Sequence, residues 1–361
     1  MNAYLAFLKK EFYDYLRSYK LFVLMMVFLA LGFLNPISAR YLPEVAASLL
    51  PDGIQIQLPQ PEVMDSWVQF YKNISQIGII ILLIVFSTMI SNELQKGGEF
   101  YTPACLVRTM VEILEPYQGR IYDPACGSGG MFVQSIKFIQ KHNGNARNLT
   151  IYGQEKNPTT WKLAKMNLAI RGINNEGLGK FADDTFHNDL HKDLKADFVL
   201  ANPPFNISDW GQEKLLDDPR WKYGIPPKGN ANFAWVEHMV SKLSMNGKAA
   251  IILASGSLST GGQEEEIRKN LIKADLVDCI LAMPANLFYT VTVPCSIWIL
   301  NRNKKQKNKI LFIDAKNFGT MVTRKLRELN EDDILKIADT YHNFQNNENY
   351  EDVSGYCSGK Q

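Results

Sequence analysis

A short apolar segment that ends at a pair of prolines places the strongest limit on the fold of this chain. Residues 196–201 are typical of a buried strand, and Asn202, Pro203, Pro204 and Phe205 follow directly. Proline lacks the N–H that a sheet ladder needs and restricts the preceding residue to extended geometry, so the strand must end here. In an open α/β sheet, ligands bind at the carboxyl ends of the strands.

The residues after this strand have the chemistry to hold a planar amine. The Asn202 amide oxygen and the Pro203 carbonyl can each accept a hydrogen bond from one exocyclic amine, which would localise the nitrogen lone pair for attack. Phe205 offers a flat apolar face for a base taken out of its stack. Taken alone, the motif is explained equally well by a strand that runs into an ordinary proline turn.

A glycine-rich segment supplies the second block. Residues 121–130 include Gly127, Gly129 and Gly130, and an apolar segment follows, which is the pattern of strand, turn and helix. Glycines let the backbone approach a ligand closely, and the start of a helix offers free N–H groups. The spacing is not that of a phosphate-binding loop, and Asp123 would repel a phosphate. A zwitterionic or cationic cofactor fits this segment better.

Together the two blocks resemble the S-adenosylmethionine-dependent amino-methyltransferases. The longer match is to the adenine-N6 DNA methyltransferase (modification) subunit of type I restriction-modification systems. It runs from about residue 97 to about residue 355 and includes 98–103 and 229–235. The resemblance implies methyl transfer from S-adenosylmethionine to adenine in double-stranded DNA, with separate specificity and restriction subunits as partners.

The resemblance also implies roles for individual residues. Residues 202–205 would form the catalytic seat, and Asn202 would also contact the cofactor. Glu155 would accept the ribose hydroxyls, and Asp184 would meet the cofactor adenine, with Asp183 as the alternative. The other cofactor-binding residues that the resemblance implies are Phe100, Tyr101, Thr102, Asp123, Ala125, Gly127, Ser128, Gly129 and Gly130.

Strand and helix patterns alternate from residue 100 onward, as a doubly wound α/β fold requires. We expect a mostly parallel sheet with helices on both faces, of the S-adenosylmethionine-dependent methyltransferase type. The expected methyltransferase domain is 97–320, and 321–361 forms a C-terminal helix and tail. That helix is predicted over 322–344, with a frayed asparagine-rich end.

The first 96 residues differ in character from the rest. Residues 21–39 and 73–92 contain no charged side chain and come close to the length of a bilayer span. Lysine and arginine are more frequent outside this pair of segments than between them, which predicts two spans with both termini in the cytoplasm. The catalytic domain would then be cytoplasmic and anchored in the cell membrane. The alternatives are a buried helical hairpin and a cleaved signal peptide.

Residues 1–96 resemble the start of an ABC-2-type transporter permease, whereas the methyltransferase subunits carry a helical domain before their first block. We therefore expect a fusion of two truncated reading frames near 93–98. Two other functions stay open at this point. One is methylation of a protein glutamine or of RNA, and the other is membrane transport by a fragment with an inactive methyltransferase remnant.

Composition and the remaining motifs leave the partner open. The net charge is +2, so charge alone does not predict a nucleic-acid partner. The five cysteines form no Cys-x-x-Cys pair and are interpreted as reduced thiols. His187 and His191 have helical spacing but no third ligand nearby, so we expect no metal site.

Two basic segments have competing interpretations. In residues 206–230, Trp210, Trp221 and Tyr223 alternate with basic residues, which suits a flipped base with its flanking phosphates or, equally, ordinary packing within a loop. The basic segment 302–309 is interpreted as a solvated turn rather than a phosphate-binding site.

Overall fold

The computed structural model describes residues 102–288 and 292–360, together with ten isolated residues between 26 and 72. Phe100 and Tyr101 lie outside the described residues, as do the predicted span 73–92 and all but five residues of the predicted span 21–39. The chain divides into two compact units, Met1–Glu93 and Leu94–Gln361. No helix within the described ranges is long and apolar enough to cross a bilayer.

Helices and strands alternate through the described part of the second unit. The helices are α1 Ala104–Leu114, α2 Gly130–Lys141, α3 Pro158–Ile170, α4 Asn232–Lys242, α5 Gln263–Lys273 and α6 Glu331–Asn346. The strands are β1 Gly119–Asp123, β2 Leu149–Gly153, β3 Ala196–Ala201, β4 Leu243–Ala254, β5 Val277–Ala282, β6 Cys295–Asn301, β7 Ile310–Asp314, β8 Thr320–Met321, β9 Arg327–Glu328 and β10 Cys357–Lys360.

Eight of these strands form one sheet in the order β10-β7-β5-β6-β4-β3-β1-β2. The neighbours from β4 to β2 are all parallel, β7 is parallel to β5, and β6 and β10 run antiparallel to their neighbours. This is the mostly parallel sheet that the alternating pattern predicts. Because parallel neighbours end at the same edge, the segments that follow β1, β2, β3 and β4 meet at the carboxyl edge of the sheet.

Helices cover both faces of this sheet. Ile121 of β1 packs in the core cluster that contains buried residues of α1, α2, α3 and α6. The adjacent Tyr122 packs in a second cluster, which contains buried residues of α4 and α5. Successive strand residues point to opposite faces, so a strand apolar on both sides belongs inside a three-layer fold. The doubly wound architecture thus follows from continuous apolar runs such as 249–254.

The C-terminal region differs from the expectation. Helix α6 begins at Glu331, because Asn330 caps it: its side chain accepts from Asp333 N at 2.7 Å, and the Asp333 carboxylate accepts from Asn330 N at 3.2 Å. Strand β9, which pairs with β8, occupies part of the segment 322–344 that the sequence predicts as helix. The prediction of a frayed tail is also wrong, because Cys357–Lys360 pairs with β7 as an antiparallel strand.

A buried carboxyl group ties α6 to the centre of the sheet. Asp278 of β5 is fully buried and accepts three hydrogen bonds, from Asn301 Nδ2 at 2.9 Å, Tyr341 Oη at 2.8 Å and Gln345 Nε2 at 2.8 Å. A buried polar group of this kind is costly unless all its partners are present. The last two donors belong to α6, so they fix the rotation of that helix against β5.

Replacing Tyr341 with phenylalanine should destabilise the fold by about 1–3 kcal/mol, because the Asp278 carboxyl loses one buried donor while the ring still packs. Urea denaturation followed by circular dichroism measures the free energy of unfolding. The matched control is Tyr350→Phe, which removes a hydrogen bond to the exposed Asp352 and should change this free energy by less than about 0.5 kcal/mol. Equal effects of the two changes would contradict the assigned role of Asp278.

Candidate active site

A turn between β1 and α2 forms the first half of the site. Cys126 N donates to Gln154 O at 2.9 Å, and Gln154 N donates to Asp123 O at 3.0 Å, which pins the turn beside the end of β2. Gly127 and Gly129 have φ angles of +53° and +80°, in the region that favours glycine. A Cβ atom at Gly127 would meet no heavy atom within 4 Å, so open space for a ligand lies beside this backbone.

The remaining residues of the turn are held by the two helices that follow. Gly130 is the first residue of α2, and no described side chain caps the N–H groups at its start. From α3, Asn167 Nδ2 donates to Ser128 O at 2.7 Å. The turn is therefore a fixed cradle with uncapped backbone donors at one end.

Two carboxyl groups meet at this turn. Asp123 is 2% exposed, and its Oδ1 accepts from Ala125 N at 3.0 Å. Glu155, just after β2, accepts from Gly127 N at 3.0 Å with Oε2 and from Asn157 N at 2.8 Å with Oε1. The sheet thus brings together three residues that the sequence predicts as cofactor-binding: Asp123, Gly127 and Glu155.

Burial dominates the electrostatics of this pair. It raises the pKa of Asp123 to about 8, with an added contribution from the Glu155 charge, while the Ala125 N–H acts in the opposite direction. Burial also raises the pKa of Glu155, against the backbone N–H groups of Asn157 and Gly127. A buried and a half-buried acidic group at one turn favour a ligand that brings positive charge.

The chemistry of these donors and acceptors fits S-adenosylmethionine. Its sulfonium and ammonium groups would relieve the cost of ionising Asp123 in a buried place. Each Glu155 oxygen retains a second lone pair, so ribose hydroxyls can still donate to it. The open space lies beside Gly127, whose N–H donates to Glu155.

The predicted adenine contact lies in the segment 183–184, which packs against Gln154 and Glu155. Gln154 Nε2 donates to Asp183 O at 3.1 Å, and Asp183 N donates to Glu155 O at 3.0 Å. Asp184 lies 2.8 Å from Lys156 Nζ and accepts from a backbone N–H. Burial raises the pKa of Asp184, but the Lys156 ammonium and that N–H outweigh burial and hold the pKa below its usual range. Asp183 contacts Glu155, Asp184 contacts the next residue, Lys156, and the choice of Asp184 stays a prediction.

The predicted amine seat follows β3 at the same edge. Asn202 Nδ2 donates to Thr102 Oγ1 at 2.9 Å, so two predicted site residues a hundred positions apart are in direct contact. Pro203 is buried, and Phe205 is 9% exposed, with its ring 5.9 Å from that of Phe288 in an edge-on arrangement. The Phe205 ring belongs to the core here, and its stacking role stays a prediction.

Three asparagines fix the segment after the seat. Asn206 has a φ of +54°, and its N–H donates to Asn232 Oδ1 at 2.9 Å. In return, Asn232 Nδ2 donates to Asn206 Oδ1 at 2.9 Å, and Asn230 Nδ2 adds a contact at 3.2 Å. Sequence reasoning recognised 229–235 as a matching block but not its contact with Asn206. Its structural role is to tie the seat to the start of α4, and the recurrence of asparagine on both sides of the loop was the available signal.

The loop 206–231 is packed rather than open. Trp210 and Trp221 are 6% and 8% exposed, and both contact Phe186. Arg220 makes a two-point ion pair with Asp218, at 2.8 and 2.7 Å. Of the two interpretations of this loop, ordinary packing is therefore the one that these contacts favour for the tryptophans. Tyr223 is half-buried, and the loop lysines are exposed.

The basic segment 302–309 likewise has a structural use. Lys304 is buried, and its Nζ donates to Asp275 Oδ1 at 2.6 Å, Val277 O at 2.8 Å and Lys309 O at 2.7 Å. Because the Lys304 ammonium is buried and already donates to three acceptors, it cannot reach a phosphate. Lys305, Lys307 and Lys309 remain at or near the surface of the turn.

Comparison with known proteins gives consistent matches. The sequence model of the family described as N-6 DNA Methylase matches residues 83–359, so it begins within the predicted span 73–92. The type I restriction enzyme HindI methylase subunit of Haemophilus influenzae is 55% identical over 266 residues, which is 73% of this chain and 60% of that protein. The MjaIX methylase subunit of Methanocaldococcus jannaschii is 42% identical over 270 residues, 73% of this chain and 48% of that protein.

Among solved structures, the methyltransferase subunit of a type I restriction-modification system from Streptococcus thermophilus matches with a TM-score of 0.68 and 24% identity. The match covers 84% of this chain and 66% of that one. It shows that the fold is the same. The chain spans about half to three fifths of the length of the two curated relatives described above.

Proposed function

The chain belongs to the N-6 DNA methylase family, and on that basis we propose that its α/β unit transfers a methyl group from S-adenosylmethionine to the N6 amine of adenine in double-stranded DNA. The observation that carries this proposal is the sheet order. β1 lies between β2 and β3, so the acidic turn, Glu155 and Asn202 follow three adjacent strands and open on one edge. A cofactor cradle beside an amine seat is what direct methyl transfer needs.

In this proposal the chain contributes mainly positioning. Asp123, Glu155 and the turn at Gly127 hold S-adenosylmethionine, which supplies an electrophilic methyl group when bound. Asn202 Oδ1 and the Pro203 carbonyl accept the two N–H bonds of the amine, which directs the nitrogen lone pair away from the ring. Acceptors fixed in advance cost no reorganisation during the reaction, so they lower the barrier electrostatically.

We also propose that the chain acts as the modification subunit of a type I system. The two curated relatives described above are named as methylase subunits of type I restriction enzymes. Double-stranded DNA and separate specificity and restriction subunits are then the partners. In such an arrangement the specificity subunit chooses the target sequence, and this chain brings the chemistry to one adenine within it.

The deciding experiment measures methyl transfer directly. The full chain is co-expressed with the specificity subunit of its own system and incubated with duplex DNA and labelled S-adenosylmethionine. Digestion to nucleosides and mass spectrometry should then detect N6-methyladenine. Label on protein glutamine or on RNA would support the other substrate classes, and absence of label from DNA would contradict the proposal.

For the first unit we propose membrane association, supported by its sequence and by the few residues described there. Met26, Leu29, Phe33 and Ile37 are helical, are spaced three or four positions apart, and are each more than half exposed. Such a spacing places them on one side of a helix. Separation of cell membranes followed by an alkaline carbonate wash tests this. Retention of the full chain in the pellet is expected, and its release by carbonate would contradict the proposal.

A further inference from the structure

The contact between Thr102 and Asn202 has a supporting structure of its own. Thr102 precedes Pro103, which stands at the N-cap of α1 with φ −56° and ψ 136°. The carbonyl of Pro103 accepts from Leu106 N at 3.0 Å and Val107 N at 3.2 Å. Buried apolar residues of α1 pack in the core, so the Thr102 hydroxyl is presented from a rigid element.

The partner of this hydroxyl is equally restricted. Asn202 follows β3 and precedes Pro203, so its backbone is confined to extended geometry from both sides. Thr102 lies before a proline in the same way. Two residues with restricted backbones, one just before α1 and one just after β3, therefore meet through their side chains at 2.9 Å.

The direction of this hydrogen bond matters for chemistry at the seat. An asparagine amide has an acceptor on one side and two N–H donors on the other. Because the Asn202 Nδ2 donates to Thr102, the Oδ1 atom is turned away from that hydroxyl. In the opposite orientation, the amide would present N–H groups to the amine of the substrate and repel it.

We propose that Thr102 is a positioning residue for the Asn202 amide, an inference that rests on the proposed methyl transfer. The hydroxyl oxygen holds Nδ2, and this leaves Oδ1 directed toward the place of the amine. Thr102 touches neither reacting atom in this role. Its contribution is the orientation of the acceptor, so its loss should appear in the rate of transfer and not in the stability of the fold.

The test compares Thr102→Val with Thr102→Ser in the full chain with its specificity subunit. Valine keeps the shape but removes the oxygen, and we expect kcat at saturating cofactor to fall by about tenfold or more. Serine keeps the oxygen and should retain kcat within about threefold. The melting temperature and the Kd for S-adenosylmethionine are measured alongside. A valine variant with unchanged kcat, or one that loses only stability, would overturn the proposal.

A second readout does not depend on activity. In ¹H–¹⁵N spectra the side-chain NH₂ pair of Asn202 is assigned by its absence from Asn202→Ala. This pair should shift in Thr102→Val and stay in place in Thr102→Ser. An unshifted pair in the valine variant would overturn the positioning role even in a protein that transfers no methyl group. If Thr102→Val shifts this pair but the wild-type protein produces no N6-methyladenine, the positioning role stands and only the proposed function is contradicted.

Discussion

Replacing Asn202 with alanine should reduce methyl transfer by at least about 100-fold, with cofactor binding preserved. The change removes one of two proposed acceptors for the substrate amine, and loss of a fixed hydrogen-bonding group at a reacting centre costs on the order of 10²–10³ in kcat. Single-turnover transfer of labelled methyl to duplex DNA measures the rate, and calorimetric titration measures the Kd for S-adenosylmethionine.

The matched control is Asn246→Ala. Asn246 is exposed near the start of β4, on a side of the sheet away from the carboxyl edge, where its Oδ1 accepts from Asn303 at 3.1 Å. The same change of residue type there should leave the rate unchanged within about twofold. If Asn202→Ala retained methylation, the assignment of the amine seat would be wrong.

The affinity for S-adenosylmethionine should rise with pH between about 6 and 8. Asp123 has a pKa of about 8 without ligand, because burial disfavours its charge. At pH 6 the carboxyl group is protonated, and a cationic ligand that binds the ionised form must first displace that proton. Each unit of pH below 8 should therefore weaken binding by up to about tenfold, and the affinity should level off above pH 8.

Calorimetry over this pH range, in two buffers with different enthalpies of ionisation, reports both the affinity and the protons released. In Asp123→Asn the pH dependence should flatten toward the smaller contribution of Glu155, whose pKa is also raised by burial. The affinity of this variant should be lower at pH 8, since it lacks the ionised partner. A pH-independent Kd in the wild-type protein would contradict the role of Asp123 as the group that faces the cationic ligand.

Sequence reasoning located the core strands and the two blocks of the site because both have strong local causes. Short apolar runs such as those at 249–254 and 297–300 are strand-length and contain isoleucine, which favours a buried strand over a helix. The prolines at 203 and 204 restrict the backbone by themselves, and the glycines at 127 and 129 permit the positive φ angles that the turn adopts. The meeting of Asp123 and Glu155 at one turn and the hydrogen bond between Thr102 and Asn202 depend on strand order, which a single sequence does not encode locally.

Features that sequence reasoning missed or left open have weak local signals in the sequence. Helix α5 has only two buried apolar residues, Ile267 and Leu271, and its other positions are mostly charged or polar. The available signal was Gly262 followed, after Gln263, by three glutamates, since acidic residues stabilise the first turn of a helix. The tryptophans of the loop 206–231 were ambiguous because burial of an aromatic ring depends on neighbours that are distant in sequence, here Phe186.

The short strand β10 has an effect beyond its four residues. It covers the outer edge of β7, whose backbone would otherwise present unpaired N–H and C=O groups beside the buried Leu311 and Ile313. An uncovered edge of this kind is a template for a strand from another molecule. A chain cut before Val353 would keep its catalytic edge intact and would still tend to associate edge to edge. By pairing with β7, strand β10 therefore opposes edge-to-edge self-association. It does so at the end of the sheet opposite β2.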